Sequence, residues 1–166
     1  MSPVAEIWRV GMADLQVARP PDRLAVYGLG SCVVLALWDG EAKLAGVAHS
    51  MLPTAAAQPG GESQPAKFCD TAVGALLEAM EALGAKRERL VARLVGGSNM
   101  FSFNGRDNGP LTLGDRNAFA SRETLRAWGL PLRGEDTGGD KGRSLELDPA
   151  DGTLKVWSAT QSPRWL

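Results

Sequence analysis

The order of apolar runs along the chain predicts an α/β layered domain with a mixed sheet. Three observations carry this. Short runs rich in β-branched and aromatic side chains come first, at residues 24–29, 32–38 and 43–49. Two amphipathic helical stretches then alternate with further short runs. No internal repeat and no linker-like segment divides the 166 residues, a length that suits a single domain with a real core.

Residues 7–17 place Ile7, Val10, Met12, Leu15 and Val17 in a loose strand-like pattern that stops at Pro20-Pro21. Residues 24–29 and 32–38 are two strands separated by Gly30-Ser31, and their continuous apolar character predicts cover on both faces. Asp39-Gly40 then turns the chain into a third run, 43–49, which is a hairpin signal. Residues 54–66 are small, polar and rich in Gly and Pro, and predict a mobile loop. Val73, Leu76, Leu77, Met80 and Leu83 recur at helical spacing, with Asp70 placed to cap the helix and Gly84 to stop it. Residues 90–95 read as a strand that enters Gly96-Gly97. A second helix is expected from near Asp115 to Trp128-Gly129, with Ala118, Phe119, Leu125 and Trp128 facing inward. Short strands follow at 132–136, 143–147 and 153–157, the last two joined by a turn at 148–152.

The charge is nearly balanced, 18 Lys and Arg against 19 Asp and Glu. That argues against nucleic acid or an anionic membrane as the main partner. Lys86, Arg87, Arg89 and Arg93 alternate with apolar and acidic residues and read as a solvated face. Two cysteines at unrelated positions make no disulfide framework, which favours a reducing compartment. The first residues lack the pattern of a secretory signal, and no apolar stretch reaches the roughly 20 residues a bilayer needs. The expectation is a cytoplasmic protein with no membrane insertion.

The single histidine, His49, stands close in sequence to Cys32, each within a turn-like motif: Gly28-Leu29-Gly30-Ser31-Cys32 and Ala48-His49-Ser50-Met51-Leu52-Pro53. Any cysteine–histidine chemistry must use this imidazole, the side chain suited to taking a thiol proton near neutrality. Cys32 as a small buried apolar residue and His49 as a satisfied polar one are the plainer alternatives. A phosphate loop is excluded by context, because Val33 stands where a third glycine is needed and a strand follows instead of a helix. One His and two Cys without paired spacing give no metal signature, and Ser31 lacks the Gly-x-Ser-x-Gly elbow. No cofactor is expected. Cys69 lies within the first helix and reads as packing.

These motifs resemble the bacterial chemoreceptor glutamine deamidases, the CheD family. The likeness runs through residues 28–33 and 48–53, Lys67 to Val73, Gly96-Gly97-Ser98-Asn99-Met100-Phe101, Gly114-Asp115-Arg116-Asn117, and Glu135 to Gly139 with Gly142-Arg143. It implies a single-domain three-layer α/β sandwich with a mixed, largely antiparallel sheet, spanning residues 1–166 as one CheD-like deamidase domain. It also implies an amidohydrolase that converts glutamines of methyl-accepting chemotaxis receptors to glutamate, with the CheC phosphatase as a partner in many members. By motif position Cys32 is the family's nucleophile and His49 its general base, while backbone groups near Gly30 and Ser31 suit an oxyanion pocket. The family's threonine six residues before the nucleophile is Val26 here, which has no hydroxyl to accept an imidazole N–H. Tyr27, Ser50 or a backbone carbonyl are the candidates to replace it. The alternative function is a CheD-like module of low activity that docks on CheC or on receptors.

Overall fold

The structure, a computed structural model, describes residues 3–100 and 111–166. Among the described residues, ten strands and two α-helices fall into three layers. One sheet has the order β1(Ile7–Arg9), β3(Arg23–Leu29), β8(Arg143–Leu147), β9(Leu154–Trp157), β10(Arg164–Trp165). The other has the order β2(Leu15–Ala18), β5(Leu44–Ser50), β4(Val33–Asp39), β6(Leu90–Gly96), β7(Leu132–Thr137). Among the described strand pairs, β1–β3 and β6–β7 run parallel and the others antiparallel. Sequence reading expects one mixed sheet; the strands instead divide between two stacked ones.

The central sheet is buried on both faces, as the continuous apolar runs of β4 and β5 require. Its first face packs on the helices through Val33, Leu35, Leu37, Leu76, Met80 and Leu94. Its second face packs on the outer sheet through Val26, Leu29, Val34, Val47, Leu145 and Val156. Residues alternating along β4 therefore serve two different cores. Helix α1(Cys69–Glu81) lies so close over Gly46 that a Cβ there would come within 2.7 Å of Leu76 and Met80.

The hairpin ends at Asp39, a fully buried carboxylate that accepts from the backbone N–H groups of Glu41, Ala42 and Lys86 and from the Arg89 guanidinium. Burial works against its charge, but Arg89 and the N–H groups of Ala42 and Lys86 outweigh it and hold the carboxyl at about 2.

Several expectations are corrected. Residues 7–17 form two strands in different sheets, because Ala13 adopts a left-handed conformation that turns the chain between them. Asp70 is not the cap of α1; Phe68 occupies that position, and the Asp70 carboxylate accepts from Ala55 N–H instead. That bond anchors residues 54–66, a connection that carries three successive 3-10 turns. Helix α2(Leu113–Trp128) is capped by Thr112 and Asp115 and closes on left-handed Gly129. Phe119 is 57% exposed and Leu83 is also exposed, so neither faces inward, whereas Trp128, though partly exposed, lays its ring against Gly74 of α1. Arg93 is not part of a solvated face but is buried, donating to Leu166 O.

Candidate active site

The hairpin places Cys32 and His49 at one end of the central sheet. Val34 lies directly opposite His49 and Val33 opposite Ser50, so Cys32 is the residue entering β4 where His49 is leaving β5. Directly opposed residues point to the same face, as do residues two apart on a strand. Val34 faces the layer between the sheets, and Cys32 packs against that same cluster. Cys32 and His49 are therefore diagonal neighbours on one face, a relationship that spans about 7–8 Å between backbones and is within reach of an imidazole.

The turn ahead of Cys32 is built by glycine. Gly28 is left-handed and donates its N–H to Ser144 Oγ, and Gly30 O accepts from Ser98 N–H. The Cys32 carbonyl accepts from Gly97 N–H at 2.8 Å. Gly96 is left-handed, and a Cβ there would lie 2.3 Å from the Cys32 carbonyl oxygen. The 96–98 segment thus clamps the cysteine loop, an approach only glycine permits. Phe101 of that motif lies outside the described residues.

His49 is 6% exposed. Its backbone is tied twice to the turn between β1 and β2: Ala13 N–H donates to its carbonyl, and its own N–H donates to Asp14 O. The same turn supplies the imidazole's partner. Nδ1 lies 3.1 Å from the Val10 carbonyl, and a carbonyl can only accept, so Nδ1 carries the proton. Nε2 is then the basic nitrogen. Burial lowers the His49 pKa, offset in part by the Val10 bond, which keeps the ring neutral and able to take a proton.

Burial raises the Cys32 thiol, while its own backbone N–H works the other way. The resting group is therefore a thiol rather than a preformed thiolate, and deprotonation must be coupled to attack through a base. Cys69 is pushed up to about 11, by burial first and then by Asp70 and Cys32, against a hydrogen bond from Ser121. It is an inert member of the helix-side core.

The residues proposed around the pair are placed as follows. Val26 is buried between the sheets. Tyr27 is 42% exposed, its ring tilted against Trp157 and under Arg9 on the outer face, and Ser50 Oγ donates to Ala66 O. Neither hydroxyl is directed to the imidazole; the Val10 carbonyl occupies that role. Ser31 presents its carbonyl to Asn117. Asn117 belongs to the 114–117 stretch that carries the family likeness, which assigns it no role, and its spacing with Gly114, Ala118, Ser121 and Leu125 puts it on the buried face of α2. The Val10 contact is made by backbone and leaves no trace in side-chain identity.

A family model described as CheD chemotactic sensory transduction matches residues 51–158. The chemoreceptor glutamine deamidase CheD of Halalkalibacterium halodurans is 42% identical over 159 residues, covering 96% of this chain and 98% of its own length. The chain belongs to the CheD family. A probable CheD 2 of Geobacter metallireducens is 43% identical over 96% of the chain and 98% of its own length. The CheD of Bacillus subtilis is 38% identical over 98% and 97%. The match to these CheD proteins extends across Cys32 and His49, which precede the segment that the family model covers. Among the described residues no group of three or more His, Cys, Asp or Glu could hold a metal, and no helix is long and apolar enough to cross a bilayer.

Proposed function

We propose that this chain is, over residues 1–166, a single CheD-like domain that deamidates specific glutamines of methyl-accepting chemotaxis receptors in the cytoplasm. The relatives bear the name chemoreceptor glutamine deamidase. The observation that carries the assignment to residues is the His49 imidazole, fixed at Nδ1 by the Val10 carbonyl with Nε2 left basic on the face it shares with Cys32.

Nε2 of His49 takes the Cys32 thiol proton as sulfur attacks the glutamine carboxamide carbon. The tetrahedral oxyanion is stabilised by backbone N–H groups about Ser31 and Cys32. The imidazolium protonates the departing ammonia, leaving a thioester. The same nitrogen then deprotonates water, which cleaves the thioester to glutamate and returns the thiol. Rate comes from orientation of the pair rather than from a standing thiolate. A CheC-type phosphatase is a further partner on this reading.

The test is ammonia release from purified cytoplasmic receptor fragments, with the converted glutamines located by peptide mass mapping and Cys32→Ala as control. Conversion by the parent protein and none by the variant is the expected result. Receptor binding without conversion by the parent protein would overturn the enzymatic reading in favour of a docking module.

A further inference from the structure

We infer that Asn117 is a positioning residue that sets the spacing between Cys32 and His49, a role that rests on the proposed dyad. Its side chain is fully buried. One Nδ2 hydrogen goes to the Ser31 carbonyl at 2.9 Å and the other to the Met51 carbonyl at 3.0 Å. Ser31 is the residue before Cys32, and Met51 lies two residues beyond His49.

The β4–β5 ladder makes this bracket necessary. Its last pair is Val33 with Ser50, so Ser31 and Met51 stand just past the end of the pairing. Two carbonyl oxygens cannot bond one another, and buried acceptors without donors are costly. A primary amide supplies two donors from one nitrogen and joins the strands where the ladder stops. The amide orientation follows from its partners: the NH2 faces two carbonyls, and Oδ1 faces the Cys69 thiol at 3.8 Å. Cys69 in α1 thereby fixes the far side of the same group.

The helix is brought to this point by glycine. A Cβ on Gly114 would lie 2.4 Å from the Gly97 carbonyl oxygen, so only glycine lets the first turn of α2 rest on the loop that also holds Cys32. Asn117 follows three residues later, on the side of the helix that faces that loop.

Asn117→Leu keeps the branched heavy-atom shape, at somewhat greater volume, and removes both donors. The expected result is a folded protein whose kcat on receptor fragments falls on the order of 10²-fold, as for a misplacement of about 1 Å, with KM changed much less. The pH profile of Cys32 alkylation by iodoacetamide should move toward that of His49→Ala. Asn117→Ser, which retains one donor hydrogen, is the milder variant should Asn117→Leu fail to fold, and its loss should be smaller in the same direction. Lower thermal stability with kcat and the alkylation profile both unchanged would overturn the inference. If the parent protein converts no receptor glutamine, the deamidase reading fails, and the alkylation profile alone still decides for or against Asn117.

Discussion

The His49 imidazole is kept neutral by its surroundings, because burial disfavours the imidazolium more than the Val10 carbonyl supports it. A neutral ring is the competent base, so the acid limb of the deamidation profile should fall below the ordinary histidine value of about 6.5. Stability follows the same group. The folded pKa lies below the unfolded one, so the unfolded chain takes up the proton first on acidification. Stability is fully present above about pH 6.5 and is lost as pH falls below it. Because the chain holds one histidine, thermal denaturation between about pH 7.5 and about pH 5.5 isolates this term. The parent protein should lose melting temperature across that window and His49→Gln should lose much less; equal slopes would show that His49 is not buried neutral.

Among the elements, the segment from β6 into Gly96 and Gly97 controls the cysteine loop. Gly96 sits at φ +117 with a virtual Cβ 2.3 Å from the Cys32 carbonyl oxygen and 2.7 Å from Leu29 Cδ2. Gly96→Ala therefore adds backbone strain of about 1–3 kcal/mol and must also push the Cys32 turn aside. Gly84 at the end of α1 has a similar φ of +106, but a Cβ there meets nothing within 4 Å. Gly84→Ala should lower the melting temperature without changing turnover by the folded protein. Gly96→Ala should lower the melting temperature and turnover together, turnover by about 10²-fold. Parallel melting curves and rates on receptor fragments check the pair. Equal turnover in both variants would show that the Gly96 clamp does not position the loop.

On the scale of the whole molecule, the central hairpin, both helices and the later strands were legible because apolar periodicity and the Asp39-Gly40 turn report burial directly. The division into two sheets was not, since the turn at Ala13 rests on a left-handed alanine that no residue type announces. Exposed Phe119 and buried Arg93 misled for one reason: burial was inferred from polarity, whereas Arg93 is held between the sheets by its bond to Leu166 O. Cys32 and His49 stood out through rarity and motif, and the register of the hairpin puts them on one face. Val10 acts through a backbone carbonyl that no residue type announces, and Asn117 is named by the family motif at 114–117 but, as a polar residue on a core-facing helix stripe, shows its part only once its two carbonyl partners are in view.

The central claim is that turnover proceeds through Cys32 with His49 as its base. Progressive iodoacetamide modification near neutral pH, with peptide mapping and ammonia release read on the same samples, tests it most directly. Deprotonation of Cys69, raised to about 11, should be negligible under those conditions, so Cys32 should be labelled first. The account predicts that deamidation disappears in proportion to Cys32 alkylation while Cys69 stays unmodified, and that His49→Ala slows the labelling of Cys32. Deamidation that persists after Cys32 is fully alkylated, or that falls only as Cys69 is modified, would contradict it.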